Sequence, residues 1–154
     1  MSHIVLRVYG ILINEEKQVL VSDEWIRGDY FTKFPGGGLE FGEGTKECLV
    51  REFQEEMKLK IEVKEHIYTT DFFQQSAFNE KHQIVSVYYR VNPIEPIQVP
   101  LREKPFEFDE EQVKIYEALK QIESFRFIDW PHFSGEKMSL PIDKIVADFL
   151  KANY

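Results

Sequence analysis

The sequence predicts an α/β fold, a sandwich around a mixed β-sheet, and three observations carry that prediction. Ile4 to Ile13 is apolar on both alternating faces, as suits a central strand covered on two sides. The stretch following Thr45 has an amphipathic helical pattern and comes directly after a glycine-rich run. A second helical pattern runs from Pro141 to Lys151, with Ile142, Ile145, Val146, Phe149 and Leu150 on one apolar stripe.

The remaining elements follow in order. Asn14-Glu15-Glu16-Lys17 reads as a turn leading into a short strand, Gln18 to Ser22. Leu59 to Phe73 reads as one long or bent strand and His82 to Val91 as another, rich in Val, Ile and Tyr. Prolines 93, 96, 100 and 105 make an irregular arm. A short helix over Asp109 to Gln121 follows, with Val113, Tyr116 and Leu119 facing inward, and Phe125 to Trp130 forms a last strand. Residues 1–154 are expected to make a single domain, in which 92–124 is a lid, a dimer contact or a packed connection.

Composition narrows the function. The chain has 154 residues, 43% of them hydrophobic, enough for one domain that buries about 68–70% of its unfolded surface. A net charge of −8 opposes nonspecific attraction to nucleic acid or to an anionic membrane, while leaving small phosphorylated ligands open. No segment approaches the length of apolar sequence that spans a bilayer, and the N-terminus lacks a signal-peptide layout, so a cytoplasmic protein is expected. The single cysteine, Cys48, excludes an intramolecular disulfide and reads as a small packing residue.

The chemistry concentrates between Gly37 and Leu59. Glu52, Glu55 and Glu56 stand at i, i+3 and i+4, so a helix places all three on one face. Like charges so placed cost a helix about 0.2–0.5 kcal/mol per pair, which calls for a compensating charge. A hard divalent cation such as Mg²⁺ or Mn²⁺ meets that need, since it takes oxygen ligands and bridges carboxylates to phosphates. The plain alternative is a solvated acidic helix face. Leu49, Val50, Phe53 and Met57 would pack on the opposite side, with Thr45 as N-cap. Arg51 can reach Glu55 one turn on and Glu43 in the preceding loop, which suits an orienting role. Upstream, Gly36, Gly37 and Gly38 let a phosphate or metal approach the backbone. Arg27 and Lys33 flank that loop in sequence as candidate phosphate contacts, and Trp25, Tyr30, Phe31, Phe72 and Phe73 are candidates for stacking on a base.

Read from Gly37, the order is Gly, five residues, Glu43, seven residues, then Arg51-Glu52-Phe53-Gln54-Glu55-Glu56-Met57-Lys58-Leu59. This resembles the Nudix box, and the chain looks like a Nudix hydrolase. The resemblance implies an α/β/α sandwich and a metal-dependent hydrolase that cleaves a phosphoanhydride in a nucleoside diphosphate linked to another group. Glu52, Glu55 and Glu56 would be metal ligands, with Glu52 or Glu55 as general base; Arg51 would orient them and Glu43 would complete the box. Many such enzymes draw a further acidic residue from outside the box, for which Glu107, Asp109, Glu110, Glu111 and Glu123 are candidates. Gln74 to Phe78 offers neither the proline nor the tyrosine that marks several subgroups, which weakens ADP-ribose and dinucleoside polyphosphate readings. Lys58 departs from the pattern: the box places glycine there, where a left-handed helix cap suits it, and a lysine would cost about 1–2 kcal/mol. The rival reading is a noncatalytic Nudix-like sensor that binds a nucleotide; a homodimer is compatible with either.

Overall fold

The computed structural model describes residues 3–154. Their contacts group into two compact units, one of residues 3–13 and 35–98, the other of residues 14–34 and 99–154. Each unit is built on its own four-stranded mixed sheet, so the α/β class with mixed pairing is as expected from sequence, its strands divided between two sheets. Among the described residues, no helix is long and apolar enough to cross a membrane.

The first unit contains β1 (His3–Ile11), β4 (Gly36–Gly38), β5 (Ile61–Thr69), β6 (His82–Pro93) and the helix α1 (Thr45–Met57). Its strand order is β4-β1-β6-β5, with β1 and β6 parallel and the outer pairs antiparallel. The central position of β1 agrees with its two-sided apolar pattern: Val8 and Ile11 are fully buried. Within Leu59 to Phe73 there is one strand, β5, shorter than expected at Ile61–Thr69 and irregular where it bulges on either side of His66. The three glycines expected to form a loop are instead β4, an edge strand paired to β1 through Arg7–Gly38, Val8–Gly37 and Tyr9–Gly36. Gly36 has φ +150°, and a Cβ there would overlap the Val8 carbonyl, so only glycine fits. On the neighbouring strand, a Cβ on Gly10 would strike the Phe53 ring, so that glycine lets α1 lie close to β1.

The second unit contains β2 (Gln18–Ile26), β3 (Asp29–Lys33), β7 (Leu101–Arg102), β8 (Gln121–Asp129), α2 (Glu110–Leu119) and α3 (Pro141–Asn153). Its order is β3-β2-β8-β7. Here β2 runs past Ser22 and turns through Arg27 and Gly28 into β3, a hairpin that the sequence reading cut short at the charged pair Asp23-Glu24. Both charges are buried because partners meet them: Arg126 and Thr32 bond to Asp23, and Lys33 pairs with Glu24. Likewise β8 begins at Gln121 rather than Phe125. Helix α2 starts as expected at Asp109, whose carboxylate accepts the Gln112 N–H at 2.8 Å, but it buries only Tyr116; Val113 and Leu119 face solvent. In α3 the apolar stripe is rotated from the expected one. Ile142, Val146 and Leu150 are buried together with Asp143 and Ala147, while Ile145 and Phe149 are exposed.

Candidate active site

The site is built on α1 and the glycine strand beside it. The helix starts one residue earlier than expected, at Gly44 instead of Thr45, because the Glu47 carboxylate accepts the Gly44 N–H at 3.1 Å and no hydroxyl is needed there. Thr45 becomes the first helical residue, and its hydroxyl is 2.7 Å from that of Tyr89. Cys48, Leu49, Phe53 and Met57 form the buried face. Val50, expected on that face, is 42% exposed and lines a groove with Ile61 and Ile94. At the far end Lys58 takes the left-handed conformation, φ 50° and ψ 36°, with its N–H bonded to Gln54 O at 3.0 Å. The lysine therefore occupies the cap geometry that the box fills with glycine.

Arg51 organises the polar face. Its Nε and Nη2 donate to the two Glu43 oxygens at 3.0 and 2.7 Å, a bidentate pair that ties the helix to the preceding loop. Nη2 also donates to the Gly38 carbonyl at 3.1 Å, while Nη1 donates to Glu52 at 3.0 Å and to Glu55 at 3.2 Å. Glu40, which the sequence reading did not single out, stands 3.7 Å from Nη1. The consequences for ionisation follow directly. The Arg51 guanidinium, helped by the Glu40 N–H, holds the Glu43 carboxyl down at about 2. Glu43 in turn pushes the guanidinium above its ordinary range. Burial, reinforced by Glu43, pushes the Cys48 thiol up to about 12, which makes it a packing residue and not a nucleophile.

The glycine at position 37 leaves room for the site itself. A Cβ there would overlap the Glu52 carboxylate, so that carboxylate lies flat against the β4 backbone. Glu55 is more open, with 59% of its side chain exposed, and Glu56 is half-buried. The three glutamates share a helix face but do not close on a common point: among the described residues no three Asp, Glu, His or Cys side chains are placed together to hold one ion. In this arrangement Arg51 supplies the charge between Glu52 and Glu55. The donor set is nevertheless one of hard carboxylate oxygens beside a backbone stripped of side chains, the chemistry that a divalent cation carrying phosphate oxygens requires.

The other residues singled out in the sequence are distributed differently. Lys33 is 8% exposed and paired with Glu24 at 2.6 Å, so its charge is committed within the second unit. Arg27 is exposed in the β2–β3 turn, at the opposite end of β3 from Lys33, with φ 47°. Trp25 is covered by Tyr116 and Tyr30, ring centroids 3.4 and 5.4 Å away, and is a packed ring rather than an open stacking platform. Of the five outlying acidic candidates, Asp109 caps α2 and Glu123 is held by Ser22 at 2.8 Å. One cation went unnoticed because it sits in a strand read as apolar: Arg7 lies opposite Gly38 across the β1–β4 ladder, and its Nε donates to the Tyr9 hydroxyl at 2.6 Å.

A glycine edge strand, a helix bearing this arginine and these glutamates, and two mixed sheets define a class of hydrolase. The NUDIX domain matches residues 3–132, and the chain belongs to the Nudix hydrolase family. The solved structures it resembles agree in fold. The MutT protein from Methanosarcina mazei Go1 superposes with a TM-score of 0.69 at 14% identity, over 99% of this chain and 96% of that one. The ORF135 protein of E. coli gives the same TM-score and identity, over 98% and 91%. An ADP-ribose pyrophosphatase from Streptococcus suis gives 0.55 at 15% identity, over 97% and 92%.

Proposed function

We propose that this Nudix hydrolase uses Mg²⁺ or Mn²⁺ to cleave a phosphoanhydride bond in a nucleoside diphosphate linked to another group. The observation that carries the reading is the Arg51 network, which keeps Glu43 ionised and sets Glu52 against Gly37 with Glu55 beside it. Glu52, Glu55 and Glu56 would hold the metal, which when bound neutralises the diphosphate and lowers the pKa of an attacking water.

The chain's own residues supply the rest. Gly36, Gly37 and Gly38 carry no side chains of their own, so a phosphate held by the metal would meet bare backbone at the half-buried Gly38 end of β4, beside the Glu52 carboxylate. Arg51 acts by positioning: its donors are spent on Glu43, Glu52, Glu55 and the Gly38 carbonyl, so it orients carboxylates instead of meeting substrate. Glu55, the more exposed of the two that share Nη1, is our choice for the group that takes a proton from water, with Glu52 as the alternative. We take residues 1–154 as one functional domain acting in the cytoplasm.

The test is product release from nucleoside triphosphates, nucleotide sugars, ADP-ribose and dinucleoside polyphosphates with Mg²⁺ or Mn²⁺, comparing wild type with Glu55→Gln. Metal-dependent turnover that the variant loses supports the hydrolase and identifies its substrate class. Metal binding by calorimetry with no turnover across the panel would favour the nucleotide sensor instead.

A further inference from the structure

The second unit contains a group of buried charges that the hydrolase reading does not use. Glu24 on β2 and Glu123 on β8 are direct cross-strand partners, so they project from the same face of the sheet a few ångströms apart. Ser22, two residues earlier on β2, shares that face and donates its hydroxyl to Glu123 at 2.8 Å. Lys33 on β3 is the cross-strand partner of Ser22 and pairs with Glu24 at 2.6 Å. Glu24 and Lys33 are 5% and 8% exposed.

The other charges nearby are already committed. Asp23 and Arg126 lie on the opposite face and pair with each other at 2.6 Å. Arg102, on β7, is tied to Asp109 and Gln112. From α2, Gln112 donates to the Glu123 backbone carbonyl and to the Ser124 hydroxyl, and from α3 Asp143 accepts the N–H of Phe34, the residue after Lys33. Lys33 is thus paired with Glu24 while Glu123 stands directly across from that carboxylate, and two carboxylates so opposed, one buried and the other half-buried, cannot both be ionised cheaply.

We propose that Glu24 and Glu123 hold one proton between them beside Lys33, and that losing this proton near neutral pH loosens the β2–β8 pairing of the second unit. Burial, and after it the Glu24 charge, pushes the Glu123 carboxyl up to about 7. The sign follows from linkage. Glu123 binds its proton more tightly folded than unfolded, so stability is greatest below the ordinary glutamate range. It declines as pH rises through that range, and the full cost stands above about 7. An ionised Glu123 has water at hand, since a cavity of about 440 Å³ lined by Leu119, Gln121, Ile122 and Glu123 opens beside it.

Two measurements test this on the full chain, and neither uses activity. In wild type, the carboxyl carbon of Glu123 followed by NMR should titrate near neutrality, and the unfolding temperature should fall between about pH 5 and about pH 8. Glu123→Gln should flatten that slope, and Glu24→Gln should move the Glu123 midpoint down by about one unit or more, since Lys33 would then balance it alone. A Glu123 carboxyl that titrates in the ordinary glutamate range would overturn the proposal, as would a midpoint unmoved by Glu24→Gln. If Glu123→Gln does not fold, the wild-type titration and the Glu24→Gln shift still decide.

Discussion

Around α1 one arginine serves four carboxylates, whereas in the β3-β2-β8-β7 sheet one lysine stands beside two, Glu24 buried and Glu123 half-buried. In the first group the Arg51 fork reaches several oxygens at once and holds Glu43 ionised, and water screens what it does not neutralise. The second group lies in a poorer dielectric with a single point charge, and burial drives a proton onto Glu123. The same residue type is therefore an anion in one unit and a shared acid in the other, and the difference is set by the number of donors and the access to water.

The sharpest way to break the contrast is to neutralise a carboxylate of the first group. Glu52→Gln keeps the shape against Gly37 but removes the charge, and should lower turnover by about 10²–10⁴-fold while the fold survives. Steady-state rates with circular dichroism on the same sample check it; a variant with full activity would remove Glu52 from the chemistry.

Next in size is the buried pair of the second unit. Asp23 is inaccessible, and Arg126 holds it at 2.6 and 3.2 Å while Thr32 donates to it at 2.6 Å. Arg126→Met strands that carboxylate and should cost about 3–5 kcal/mol in denaturant unfolding. A cost below about 1 kcal/mol would mean that Asp23 finds water or a proton instead.

Arg51→Lys sharpens the comparison from the other side, giving the first group the point charge that the second already has. One ammonium cannot replace a fork that bonds Glu43 in two places and Glu52 and Glu55 in two more. We expect about a 10–100-fold loss in activity or metal affinity. The Glu43 carboxyl should also rise from about 2 toward its ordinary range, read by NMR titration. The stability contributed by ionised Glu43 is present above the ordinary glutamate range and is lost as pH falls toward about 2. In the variant that contribution should be smaller and should be used up at higher pH than in wild type, the onset of its loss being set by the unfolded chain in both.

What the sequence revealed of these groups depends on how local their partners are. The box was legible because Glu52, Glu55, Glu56 and Arg51 are related by helical spacing, and Glu43 lies only eight residues before Arg51. The buried cluster was not. Asp23 and Glu24 read as the end of a strand because the groups that neutralise them come from other strands of the sheet, Arg126 on β8 being 103 residues away and Lys33 on β3 lying across a hairpin turn. The glycine strand was hidden for another reason: glycine has little strand preference, and β4 exists because β1 offers it a ladder. In α3 periodicity suggested Ile145 and Phe149 as core, but Asp143, which no hydrophobic pattern would bury, is drawn inside by the Phe34 N–H at 3.3 Å.

The smallest effect concerns a feature the two units share. α1 ends at Lys58 with φ 50°, and α2 ends at Lys120 with φ 59°, each in the left-handed region and each returning its N–H to a helix carbonyl. An L-residue with a Cβ pays about 1–2 kcal/mol there that glycine does not, less what glycine loses in the unfolded chain. Lys58→Gly and Lys120→Gly should therefore each stabilise by at most about 1 kcal/mol, raising the unfolding temperature by about 2–4 °C in a chain of this size. Because the two caps lie in different units and share no partner, their effects should add in the double variant. If only Lys120→Gly stabilises, Lys58 is contributing something beyond its backbone angle, and its departure from the box would then be a property of the site and not a tolerated strain.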